Sequence, residues 1–194
     1  MKRTFFIIPG FKQKATDEQF KWLTKLLKSK GFDVVNVPVD WKYRTASDYA
    51  RDFKVFYDKH RSQSNYVLGF SYGAVIALLT ASELRPNKIY LCSLSPDFKE
   101  DLSSMTPWVK KMIGKKRVLD IKKRSGRAIA KNLDIPSVLF YGEKEARLYP
   151  QLKVRCEETN KLAKSSKLVV VKDAPHRLNH LNYIEAIHRE LDSL

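Results

Sequence analysis

The sequence predicts an α/β protein with a doubly wound, mostly parallel six-stranded sheet and helices on both faces. Two patterns lead there. Six short, β-branched-rich runs alternate with segments of helical spacing, and several of those runs are continuously apolar, as strands buried on both faces are. The size agrees: 194 residues with 43% hydrophobic and 30% charged side chains suit one packed core, so 1–194 is expected to be a single domain.

The first strand is expected at 4–8, where Pro9-Gly10 stops the run. The helix after it, 16–30, opens on Thr16-Asp17-Glu18-Gln19, a sequence of capping-box form. It sets Phe20, Leu23 and Leu27 on one face and can close at Gly31. Residues 33–37 read as the second strand. Thr45-Ala46-Ser47-Asp48 repeats the cap signal before Tyr49, Phe53 and Phe56, and 66–70 is the third strand. The third helix, 74–84, is apolar nearly all round and should be buried. A fourth strand at 88–92 is separated from a fifth at 137–141 by an irregular basic insertion, 99–132. A helix around Leu152, Cys156, Thr159 and Ala163 follows, then a strand at 167–171 and a helix with Leu181, Ile184, His188 and Leu191 on its face. Strand-helix-strand units cross over right-handed and build parallel sheets, whose ligands bind beyond the carboxyl ends of the strands.

Chemistry is therefore sought just after each strand. The third strand runs into Gly69-Phe70-Ser71-Tyr72-Gly73 and then into the apolar helix, the strand-turn-helix setting that a G-x-S-x-G pattern requires. The glycines give the room a sharp turn needs. The turn would hold the Ser71 hydroxyl at a helix amino terminus, where the Tyr72 N–H can donate to an oxyanion. The bland alternative is a phosphate or dinucleotide loop, but neither a G-x-G-x-x-G nor a P-loop lysine pattern occurs.

A serine needs a base to take its proton. Of the four histidines, His60 ends a helix, His188 lies within the last one and His180 begins it. His176, in Asp173-Ala174-Pro175-His176-Arg177, stands on a loop after the last strand and is the expected base. A carboxylate should hold its tautomer. Glu145, in Tyr141-Gly142-Glu143-Lys144-Glu145, is favoured, while Asp97 and Glu143 stay open as alternatives with solvated loop acids as the plain reading.

These residues resemble the α/β-hydrolase family over most of the chain, the basic insertion excepted. The order serine, acid, histidine is the family's, and residues 135–145 look like its strand, glycine and acid segment, with Glu145 where an aspartate usually stands. Pro9-Gly10-Phe11 resembles its oxyanion loop, which makes the Phe11 N–H the second donor. Ala174-Pro175 precedes His176 where a glycine is common. The resemblance implies a minimal six-stranded member hydrolysing a carboxylic ester or related acyl compound, with no cofactor and no metal ion.

Charge adds a second theme. Between Val109 and Lys131 ten basic residues face Asp120 alone, more than half of the net +16. Trp108, Val109, Met112, Ile113, Val118, Leu119 and Ile121 offer the insertion an apolar face, so 99–132 reads either as a cap that attracts anionic substrates or as a solvated helical pair. A rival function is a disabled hydrolase scaffold binding nucleic acid or another polyanion through this segment. The start, Met1-Lys2-Arg3, is basic, but the apolar run behind it is too short for a signal core and no later stretch could span a bilayer. Cys92 and Cys156 lack metal-ligand spacing. A cytoplasmic protein with reduced thiols is expected.

Overall fold

The computed structural model describes residues 2–192 and 194. Strands β1 (Arg3–Ile8), β2 (Asp33–Asn36), β3 (Ser64–Phe70), β4 (Lys88–Cys92), β5 (Ser137–Gly142) and β6 (Ser166–Val171) form one sheet in the order β2-β1-β3-β4-β5-β6. Every neighbouring pair is parallel. The order runs outward in both directions from β1 and β3, so the crevice at the topological switch opens above their carboxyl ends.

Because strand side chains alternate, the sheet feeds two cores. Phe6, Ile8, Ile89, Leu91 and Leu139 point to one side, where they meet α2 (Ala46–His60), α3 (Tyr72–Leu84) and α8 (Pro150–Leu162). Phe5, Ile7, Tyr90, Val138 and Phe140 point to the other, against α1 (Glu18–Ser29) and α9 (Leu181–Leu191). The expected capping box of α2 is present, with Thr45 accepting from the Asp48 N–H and the Asp48 carboxylate accepting from Thr45. Gly31 closes α1 in a left-handed turn, with its N–H on the Lys28 carbonyl and that of Phe32 on Leu27.

Two local expectations are corrected. Thr16 does not cap α1; the cap residue is Asp17, whose carboxylate instead accepts from the Lys14 N–H in the preceding turn. The inward face of α9 is Tyr183, Ala186, Ile187 and Leu191, while Leu181 and His188 are exposed. Tyr183 is apolar enough in its ring to lead that face, and its hydroxyl has a buried partner described below.

The insertion folds as a 3₁₀ turn (Lys99–Ser103) and three short helices, α4 (Pro107–Ile113), α5 (Lys115–Lys122) and α6 (Gly126–Lys131), one more than the helical pair of the plainer reading. Its proposed apolar face is not buried as a unit: Ile121 is, but Trp108, Met112 and Leu119 are exposed, and α4 buries no residue. Buried ion pairs hold it instead. Arg155 of α8, 2% exposed in its side chain, grips both oxygens of Asp101 at 2.6 and 3.2 Å. Arg124 joins Asp97 and Asp120, and the Ser47 hydroxyl donates to Asp120 at 2.6 Å.

Candidate functional site

Ser71 stands between β3 and α3 with φ 56° and ψ −117°, a backbone conformation that non-glycine residues rarely adopt. Its N–H donates to the Cys92 carbonyl at 2.8 Å, which pins the turn to the end of β4. A side chain at Gly69 would strike the backbone of Gly73 and Ala74, and one at Gly73 the backbone of Ile8 and Pro9. The two glycines thus let helix α3 start against both β3 and β1. As the first residue of α3, Tyr72 has a backbone N–H with no carbonyl of its own helix to meet.

His176 lies on the loop between β6 and α9, and its Nε2 is 3.1 Å from the Ser71 Oγ. Its Nδ1 hydrogen-bonds the Oε1 of Glu145. The ring packs on Phe70, centroid to centroid 4.8 Å, and its side chain keeps about a third of its surface open. Glu145 has no exposed surface and sits in the first turn of α7 (Glu143–Leu148), a helix the sequence reading treats as loop. Its Oε2 accepts from the Gly142 N–H and from the Ser93 hydroxyl, both at 2.9 Å. The Ala174 carbonyl receives the N–H groups of Lys144 and Glu145, so the histidine loop and the acid turn are locked together by backbone.

The other two acids lie elsewhere. Glu143 accepts from the Asp173 N–H at 3.2 Å and pairs with Arg147 on the surface. Asp97 lines the cavity beside Ser71, where burial pushes its carboxyl up to about 6 against the lowering influence of Arg124 and the Tyr72 hydroxyl. Of the remaining histidines, His60 bonds the Phe56 carbonyl, His188 pairs with Asp192, and His180 stands at the cap position of α9 without a side-chain cap bond.

Four residues of this region carry no sequence pattern that would have singled them out. Ser93, fully buried with φ 54°, links Glu145 to the Tyr183 hydroxyl, 2.7 Å away. The Ser95 Oγ is 3.3 Å from that of Ser71. Trp41 donates to the Gln13 carbonyl and touches the rings of Phe11 and Tyr72. It steadies the turn after β1, in which Gln13 donates to the Gly10 carbonyl, a bond that leaves the Phe11 N–H uninvolved.

Above Ser71 a cavity of about 230 Å³ is lined by Phe11, Tyr72, Ser95, Pro96, Asp97, Ile113 and Arg117. The last two come from α4 and α5. A larger hollow of about 490 Å³, bounded by residues such as Gln13, Asn36 and Asp52, holds neither a histidine nor Ser71. Among the described residues no group of three or more His, Cys, Asp or Glu could hold a metal ion. Burial pushes both the Cys92 and Cys156 thiols well up, which keeps them protonated and unreactive.

No family model matches the sequence, and no curated protein matches it in sequence. Solved structures do match the fold. Est1E from Butyrivibrio proteoclasticus superposes with a TM-score of 0.82 at 16% identity, covering 99% of this chain and 88% of that one. The chain has the α/β-hydrolase fold. An α/β-hydrolase enzyme from lagoon sediments of Mar Chica, Morocco, superposes on it with a TM-score of 0.70 at 19% identity, covering 100% of this chain and 92% of that one. A bromoperoxidase from Bacillus anthracis does so with 0.71 at 14%, covering 100% and 91%. The α/β-hydrolase fold thus carries more than one named activity, and the reaction must be argued from the site. No helix among the described residues is long and apolar enough to cross a membrane.

Proposed function

We propose that this chain is a serine hydrolase that cleaves a carboxylic ester or a related acyl compound through an acyl-enzyme intermediate. The observation that carries this reading is the Ser71–His176–Glu145 relay, whose serine lines the cavity, with Nε2 3.1 Å from the serine oxygen and Nδ1 on a buried carboxylate. With Glu145 accepting from Nδ1–H, Nε2 is left as the acceptor that faces the hydroxyl. Ser71 Oγ attacks the acyl carbon as its proton passes to Nε2. The N–H groups of Phe11 and Tyr72 hold the oxyanion, helped by the positive end of α3. The imidazolium then gives its proton to the departing alcohol, and water repeats the sequence in reverse to free the acid and Ser71.

The substrate is a small acyl compound that fits about 230 Å³. One structure of Est1E contains ferulic acid, and the aromatic rings of Phe11 and Tyr72 here suit a similarly flat acyl group. Arg117 at the cavity wall favours an anionic substrate. Residues 99–132 act as the cap of a single 1–194 domain, a role supported by Ile113 and Arg117 reaching the cavity.

A fluorophosphonate probe, which reacts only with an activated serine, should label Ser71 stoichiometrically, and Ser71→Ala should lose both the label and hydrolysis of a panel of acyl esters. Folded protein that never reacts, or reacts at another residue, would remove the enzyme reading and leave polyanion binding through 99–132 as the function to test.

A further inference from the structure

The helix that walls the cavity with Ile113 turns a different face outward. On α4, Trp108 and Met112 stand one turn apart and are 66% and 67% exposed, and Leu119 of α5 is 47% exposed. Large side chains left in water together are unusual on a soluble protein and mark a surface that is covered in use. Lys110, Lys111 and Lys115 are interleaved with them, and among the described residues no carboxylate lies within ion-pair distance of any of the three. Lys116, by contrast, pairs with Asp48 at 3.6 Å, and Arg124 and Arg127, farther along the insertion, have carboxylate partners of their own.

We propose that the outer face of α4 and α5 docks on an anionic lipid surface, with Trp108, Met112 and Leu119 entering the headgroup region and the lysines meeting the lipid charges. Two features of the patch select this occupant. Its apolar members have nothing to offer a phosphate backbone in water, so nucleic acid would leave Met112 and Leu119 exposed. Tryptophan and long apolar side chains beside lysines are the combination that partitions into the boundary between headgroups and acyl chains. Docking by this face brings the Ser71 cavity, on the inner side of the same helix, next to the lipid. That the lipid surface then supplies the acyl substrate rests on the hydrolase reading; the docking itself does not.

The test uses the Ser71→Ala chain, so that no turnover disturbs the vesicles. Co-sedimentation with phosphatidylserine-containing vesicles should show binding that neutral phosphatidylcholine vesicles lack and that weakens as salt rises. Trp108 emission should shift to the blue on binding, and Trp108→Phe should remove that part of the shift. Replacing Lys110, Lys111 and Lys115 by glutamine should lower partitioning about tenfold or more, and Trp108→Ser with Met112→Ser should do likewise. Circular dichroism should show that these variants stay folded, and in the Ser71 protein the same substitutions should leave hydrolysis of a soluble ester unchanged. Absence of vesicle binding, binding that survives the Trp108 and Met112 changes, or binding to DNA and not to vesicles would each overturn the proposal. None of these outcomes bears on whether Ser71 hydrolyses a soluble ester.

Discussion

The strand-end cluster of Ser71, Glu145 and His176 and the basic segment 99–132 lie on either side of one cavity, yet they are held by different forces. Each member of the cluster is delivered by backbone: Ser71 by its N–H on Cys92, Glu145 and His176 by the Ala174 carbonyl that ties their turns together. The basic segment hangs on side chains, chiefly Arg155 on Asp101 and Arg124 on Asp97 and Asp120. Backbone ladders are repeated along every strand, so a single side-chain change rarely displaces them. A buried ion pair is one contact, and removing either partner leaves a charge stranded in a medium that solvates it poorly. The cluster should therefore fail chemically and keep its shape, whereas the segment should fail structurally.

The largest expected effect is chemical. Glu145→Gln, nearly the same shape, should lower turnover of a soluble ester about 10⁴-fold with the fold intact, because the amide presents the wrong partner to Nδ1. Asp97→Asn should change it less than tenfold. Steady-state kinetics with circular dichroism as the control measures both, and the reverse ranking would transfer the acid role to Asp97.

The next effect is structural. Arg155 and Asp101 are 2% and 3% exposed, so solvent screens them little. Arg155→Met should cost about 3–5 kcal/mol in urea unfolding, since it leaves Asp101 buried and unpaired. A loss under about 1 kcal/mol would mean that the segment is secured by something other than this pair.

The smallest effect lies where the two kinds of support meet. Ser93 is held at φ 54° by its N–H on the Phe140 carbonyl but acts through its hydroxyl on Glu145. Ser93→Ala should lower kcat about 10-fold to 100-fold with KM nearly unchanged, as expected for one hydrogen bond to a charged group. Tyr183→Phe, one step farther out, should cost less, because Ser93 keeps its own bond to Glu145. Equal losses in kcat for the two variants would show that the Tyr183 hydroxyl is needed to orient Ser93.

What the sequence determined by itself is local and periodic. Continuous apolar runs announced six strands that the parallel ladders bear out, the Thr45 cap and Gly31 stop set the ends of α2 and α1, and the glycines at 69 and 73 marked the turn at Ser71. These signals are legible because each depends on neighbours within a few residues: strand burial on spacing, a cap on one side chain three residues ahead, a turn on the absence of Cβ. Only the tertiary structure decided the rest. Glu145, Asp97 and Glu143 each follow a strand; the run 135–145 favoured Glu145, but no spacing within a few residues of the three says which carboxylate reaches His176. The choice is made by the Ala174 carbonyl bridging two loops, and by Ser93 arriving from β4 with Tyr183 from α9 behind it. The same holds for the insertion, which offers an apolar face in sequence while the fold leaves Trp108, Met112 and Leu119 of it exposed. Hydrophobicity states what a side chain would gain by burial; whether a partner surface is there to bury it is a property of the assembled chain.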